Sequence, residues 1–182
     1  MNCQIPAVVI FLTASSAWAA PLDSGHPLSL VVNPSVQKEL ALTADQIAAV
    51  APLLGSAVDE ATTKEATAAL AKALDKARLA RLMEISYQAR GGIALADSAV
   101  IAKVGLSRTQ ARKLADIAGN RELDLKMVLN VTRFRNAEAK RKFVLDWRKG
   151  AEKPMLAELT AEQKTAFEKM QGKKFDVIAI VK

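Results

Sequence analysis

The chain has 182 residues, a formal net charge of +7, eight aromatic residues and one cysteine, Cys3. Alanine and leucine dominate, glycine and proline are sparse, and no Val/Ile/Thr-rich run alternates with the period of a half-buried strand; this argues against a β-rich fold and for an all-α one. The positive charge suits an acidic or anionic partner and says nothing about the fold.

Residues 1–19 read as a secretory signal peptide. A short apolar run, Ala7–Ala14, is followed by small residues and an Ala17-Trp18-Ala19 site, with cleavage expected near Ala19. The run is too short for a membrane span of ~20 residues, and no other stretch is apolar enough to anchor the chain. Loss of Cys3 leaves a mature protein without thiol or disulfide, which suits an oxidising compartment. An exported, periplasmic protein with no transmembrane segment is expected. Residues 20–32 hold two of the six prolines and the only histidine, His26, and are expected to form a flexible leader.

An all-helical domain is expected over 33–175, followed by a tail at 176–182. Asn33-Pro34 supplies a cap and a first-position proline for a short helix over 34–40. One pentapeptide shape then recurs: LTADQ at 42–46, LSRTQ at 106–110 and LTAEQ at 159–163. A hydroxyl at the cap and a glutamine three residues later form a capping box, which satisfies two of the orphan N–H groups at a helix start. The pairs are Thr43 with Gln46, Ser107 with Gln110, and Thr160 with Gln163. NPSVQKELALTADQ also matches DSAVIAKVGLSRTQ at an offset of 64, pairing Val36 with Val100 and Leu40 with Val104. Two aligned units of this length point to an internal repeat.

Long helices follow the boxes. The first is expected to be interrupted at Pro52 and Gly55, to run over 57–89 with a seam of Leu70, Ala73, Leu74 and Ala77, and to stop at Gly91-Gly92. The second is expected from Ser107 to about Lys149, ending near Gly150 and Pro154, with Gly119-Asn120 as its one weak point. Such a helix, on the order of 60 Å, suits an extended hairpin or an intertwined dimer better than a globule. A last helix is expected over 160–171.

On a helical wheel, 123–149 carries two apolar stripes: Leu123, Met127, Phe134 and Leu145, then Leu125, Leu129, Phe143 and Trp147. Two basic lines run between them: Arg135, Lys142 and Lys149, and Arg133, Lys140, Arg141 and Arg148. Residues 133–149 hold seven basic and two acidic side chains, hence five of the seven net charges. A helix with two stripes needs two partners, and long cationic side chains beside apolar patches attract loosely folded chains. Arg133, Arg135, Lys140, Arg141, Lys142, Phe143, Trp147, Arg148 and Lys149 are therefore the candidate partner-binding residues; the alternative is that both stripes are core and the basic lines a solvated face.

Catalytic chemistry has no visible carrier: no usable cysteine, no Gly-rich phosphate loop, no HExxH and no GxSxG. No enzyme, cofactor or metal is expected, since His26 stands alone and transition-metal sites favour several His or Cys ligands. Nucleic-acid binding by the basic stretch does not suit an exported protein.

The LTADQ, LSRTQ and LTAEQ boxes, the export signal and the basic, helix-rich mature chain resemble the Leu-Thr-x-x-Gln (Spy/CpxP-like) family of periplasmic proteins. NPSVQKELALTADQ and LTAEQKTAFEKMQGKKF look like a divergent branch of it. The resemblance implies long helical hairpins assembled as a curved antiparallel homodimer whose basic concave face holds unfolded clients without ATP. It leaves the box residues as structural caps. The third box and an Ala-rich helix at 57–90, which looks like an insertion, depart from that pattern. Two functions are expected from this: an ATP-independent chaperone or envelope-stress adaptor, or an interaction protein for one folded envelope partner such as a sensor domain.

Overall fold

The computed structural model describes residues 25–54 and 60–180; the expected signal peptide, the start of the leader and the last two residues lie outside them. The described chain is all-α, with no strand among the described residues. Its helices are α1 (Pro27–Leu30), α2 (Pro34–Glu39), α3 (Ala44–Val50), α4 (Glu60–Ala73), α5 (Lys76–Arg90), α6 (Ser98–Val104), α7 (Arg108–Val131), α8 (Ala137–Ala157) and α9 (Ala161–Gln171). Short 3-10 turns cover Ala51–Leu54, Gly91–Ala96 and Val177–Ile180.

Four expectations are corrected. The leader is not flexible over its described part: His26 caps α1 by accepting from the Leu28 N–H at 3.3 Å, and Leu28, Leu30 and Val31 are fully buried. The helix expected over 57–89 is two helices, because Asp75 accepts from the Arg78 N–H at 2.9 Å and starts α5 afresh. The long second helix breaks at 132–136, not at Gly119-Asn120. Thr132 is extended (φ −89°, ψ 127°) and Asn136 restarts α8 by accepting from the Ala139 N–H at 2.8 Å. Finally, α8 runs through Gly150 and Pro154 to Ala157, because Ala151 and Met155 on either side of the proline are fully buried. Packing overrides the local preference there.

The repeat is larger than its sequence signal. Leu30, Val31, Val36, Leu40 and Val50 lie in one buried cluster; 64 residues later Ala94, Leu95, Val100, Val104 and Leu114 lie in a second. Farther along, Leu70, Leu74, Leu82 and Ile85 of the first cluster match Met155, Leu159, Phe167 and Met170 of the second at an offset of 85. The chain is a duplicated helical unit. The leader segment 27–32 is the counterpart of the 91–96 turn, and the Ala-rich helix region is the counterpart of α8 and α9 rather than an insertion. The step from 64 to 85 puts 21 extra residues in the second unit, between Leu114 and Met155.

Backbone detail follows the same correspondence. Leu42 N–H donates to Gln37 C=O at 3.1 Å, and Leu106 N–H donates to Ile101 C=O at 3.0 Å, closing α2 and α6 alike. The residue before each leucine has positive φ: Gly105 at 70°, where glycine is at ease, and Ala41 at 48°, where a Cβ is disfavoured. Gly92 has a separate reason: a Cβ there would come within 2.9 Å of Glu152 Cα, so the 91–96 turn can lie against α8 only without a side chain.

The boxes do more than cap. All three form fully, each cap hydroxyl accepting from the glutamine N–H and each glutamine Oε1 accepting from the cap N–H. The second and third then lock together. Gln110 Nε2 donates to Gln163 Oε1 at 2.8 Å and to Glu158 C=O at 2.8 Å. In return, Gln163 Nε2 donates to Gln110 Oε1 at 3.1 Å and to Gly105 C=O at 3.1 Å. Each carbonyl used lies two residues before the partner's cap, so the clasp is pseudo-symmetric and both amides use every donor and acceptor they have. The first unit repeats this with a box of different letters, LDKAR at 74–78. Gln46 Nε2 donates to Ala73 C=O at 3.3 Å, and Arg78 Nη2 donates to Ala41 C=O at 3.2 Å. Asp75 replaces the hydroxyl and Arg78 the glutamine.

Helix α5 joins the units. Leu82 and Ile85 enter the first cluster while Tyr87 enters the second. Arg81 bridges Glu39 of α2 at 2.7 Å and the Lys173 C=O beyond α9 at 2.6 Å. At the junction Arg90, largely buried, pairs with Asp97. That pairing occupies the carboxylate, and Asp97 makes no side-chain cap bond, whereas its counterpart Asn33 caps Ser35 at 2.9 Å.

Candidate functional site

Neither buried cluster has a member between Ala118 and Ala151. Residues 119–150 therefore form an arm, the distal parts of α7 and α8, held by its own seam. Leu125 and Val144 are buried in it. The two helices run antiparallel and exchange bonds across their middle. Arg121 Nη2 donates to Trp147 C=O at 3.0 Å, and Trp147 Nε1 donates to Arg121 C=O at 3.2 Å. The Arg121 guanidinium also lies 4.6 Å from the centroid of the Trp147 ring, within cation–π range. Toward the tip the aromatic rings continue: Trp147 to Phe143 at 5.7 Å, Phe143 to Phe134 at 5.4 Å.

The candidate residues scatter over this frame. Arg133 and Arg135 are exposed in the tip loop, outside any helix, so Arg135, Lys142 and Lys149 do not form one helical line. Lys142 is exposed and pairs with Asp146 at 2.7 Å. Lys140, Arg141, Phe143 and Trp147 are half-buried. Arg148 is 3% exposed, and its Nε donates to Glu122 at 3.2 Å, so it braces the hairpin instead of meeting a partner. Lys149 lies at the arm's base, on an open recess of about 540 Å³ with Glu152, Lys153, Leu156 and Lys164.

The apolar stripes also change places. Leu125 is buried and Leu129, Phe143 and Trp147 are half-buried, so the seam of the single chain already occupies the second stripe. The exposed stripe is Leu123, Met127 and Val131, at 58%, 55% and 82% exposure. Sequence reasoning had put Phe134 in that line on the assumption of an unbroken helix. It missed Val131, four residues after Met127, and it missed Arg121, Glu122 and Asp146 as the groups that engage Trp147, Arg148 and Lys142. The six box residues are caps and clasp in the body, away from the arm.

Comparison with protein-family models, with curated proteins and with solved structures gives no match for this chain. Among the described residues no helix is long and apolar enough to cross a membrane.

Proposed function

We propose that this is an exported, non-enzymatic protein-binding protein of the periplasmic chaperone or envelope-stress adaptor type, in which a duplicated helical body carries a cationic arm. The observation that carries the reading is the arm. It holds the 21 residues by which the second unit exceeds the first, it contributes to neither core cluster, and residues 133–149 hold five of the chain's seven net charges. Internal pairing consumes the acids Glu122 and Asp146, while Arg133, Arg135, Lys140 and Lys149 have no ion pair among the described residues. Those cations, beside the half-exposed edges of Phe143 and Trp147, are suited to carboxylate-bearing polypeptide. The Leu-Thr-x-x-Gln boxes support the resemblance on which the chaperone form rests.

The test is light scattering of an aggregating client with the mature protein in several-fold excess. Suppression is expected, and weakening by Arg135→Glu, Lys140→Glu and Lys149→Glu together at unchanged helicity. Absence of suppression removes the chaperone form. A second reading, one folded acidic envelope partner, is favoured by the closed seam: with Leu125, Leu129, Phe143 and Trp147 already packed, the α8 side of the arm is a preformed charged face more than a greasy one. It predicts saturable, stoichiometric capture of one protein in place of general suppression.

A further inference from the structure

We infer that the outer face of α7 at the arm's tip docks on an anionic lipid surface, holding the protein peripherally on a membrane. This goes beyond the protein-binding reading and uses a different apolar stripe of the arm, sharing with that reading the tip-loop cations Arg133 and Arg135. Among the described residues the exposed large hydrophobics are Leu123, Met127, Val131 and Ile178, and three of these four stand on α7. Their four-residue steps place them on one side of the helix along about 12 Å. None belongs to either core cluster, so folding of the body gives no reason for them.

Shape and charge decide the occupant. The stripe is the convex edge of one helix, which a planar apolar layer can meet along its length, whereas a bound peptide needs walls on two sides. Lys126 lies on the same helix and Arg133 and Arg135 follow directly in the tip loop; all three are exposed and without an ion pair among the described residues. Residues 119–149 contain nine basic and four acidic side chains, so two such tips repel, which disfavours a second copy as the occupant. A bilayer with anionic headgroups complements both parts: acyl chains for Leu123, Met127 and Val131, phosphates for Lys126, Arg133 and Arg135. Attachment resting on three apolar side chains and a few cations is reversible and weakens with salt.

The test is co-sedimentation of the full mature chain with phosphatidylglycerol/phosphatidylcholine vesicles and with pure phosphatidylcholine vesicles. Binding is expected several-fold stronger to the anionic vesicles and reduced at high salt. The Leu123→Ser/Met127→Ser/Val131→Ser variant should lose roughly tenfold or more of that binding at unchanged helicity, and should still suppress client aggregation if the protein-binding reading holds. A Val131→Trp variant adds a direct readout, a blue-shifted indole emission on anionic vesicles. No binding to anionic vesicles, binding that survives the triple substitution, or an unshifted indole overturns the inference. Client suppression scored alongside shows whether the protein-binding reading stands by itself.

Discussion

The first unit, from α1 to α5, and the second, from the 91–96 turn to α9, use one plan: a turn, a short helix, a left-handed residue, a box-started helix, a further helix and a box-started last helix. They differ in where the extra length went. Matched core positions keep their burial from Leu30/Ala94 to Ile85/Met170, and the 21 additional residues all fall between Leu114 and Met155. A duplicated body that gains length at one place only exposes its apolar and cationic side chains there, apart from both core clusters, and on the reading proposed above this separates stability from interaction.

That separation can be broken most forcefully in the cores. Leu82→Ala and Phe167→Ala remove matched side chains at 0% and 1% exposure, and each is expected to cost about 3–5 kcal/mol in urea unfolding. Leu123→Ala in the arm is expected to stay within about 0.5 kcal/mol. If only one of the core variants is costly, the units are not equal partners in one fold.

The clasps sharpen the comparison. Gln163→Ala removes the reciprocal amide pair and the Gly105 contact as well as its own box, and should cost about 2–3 kcal/mol. Gln46→Ala, which faces Ala73 and shares no amide pair, should cost about 1–2 kcal/mol. A double-mutant cycle of Gln110→Ala with Gln163→Ala should show coupling of about 1 kcal/mol or more, and none between Gln46 and Gln163.

Two smaller effects follow from places where the units differ in letter. Ala41→Gly gives the first unit the residue its counterpart Gly105 already has at positive φ, and should stabilise by about 0.5–1 kcal/mol. Asp75 stands where the other boxes have a hydroxyl. The Arg78 backbone N–H, then its guanidinium, hold that carboxyl below the usual aspartate range. Its folded-state value is thus depressed, so the stabilisation is present above the unfolded value near pH 4 and is lost as pH falls through the folded one. Asp75→Asn should flatten part of the acid-side decline in the urea midpoint, and the equivalent variants of Ser107, whose hydroxyl caps α7, should not.

Much of this body was legible from sequence because its signals are local. Capping boxes depend on residues three apart, and Val36/Val100 and Leu40/Val104 fall on one short alignment. The fourth box escaped because LDKAR keeps the physical roles while changing the residues; the regular spacing of Leu42, Leu74 and Leu106, each 32 after the last, was the available clue. The arm was the harder part. A helical wheel carries its phase through a break, so Phe134 and Arg135 seemed to share faces with residues on α8. The break itself is written in Val131-Thr132 and in Asn136 as a cap, with Glu138 in the first turn. Which stripe would close on the hairpin partner is a tertiary matter, and only the pairing of Arg121 with Trp147 and of Glu122 with Arg148 settles it.

Native-state hydrogen exchange on the intact chain tests the central claim most directly. Amides of 121–148 are expected to open together, at a lower free energy than those of 82–90, 98–104 and 163–170, which should exchange only through global unfolding. Arm amides protected to the same free energy as the cores would contradict a body whose stability is independent of its arm.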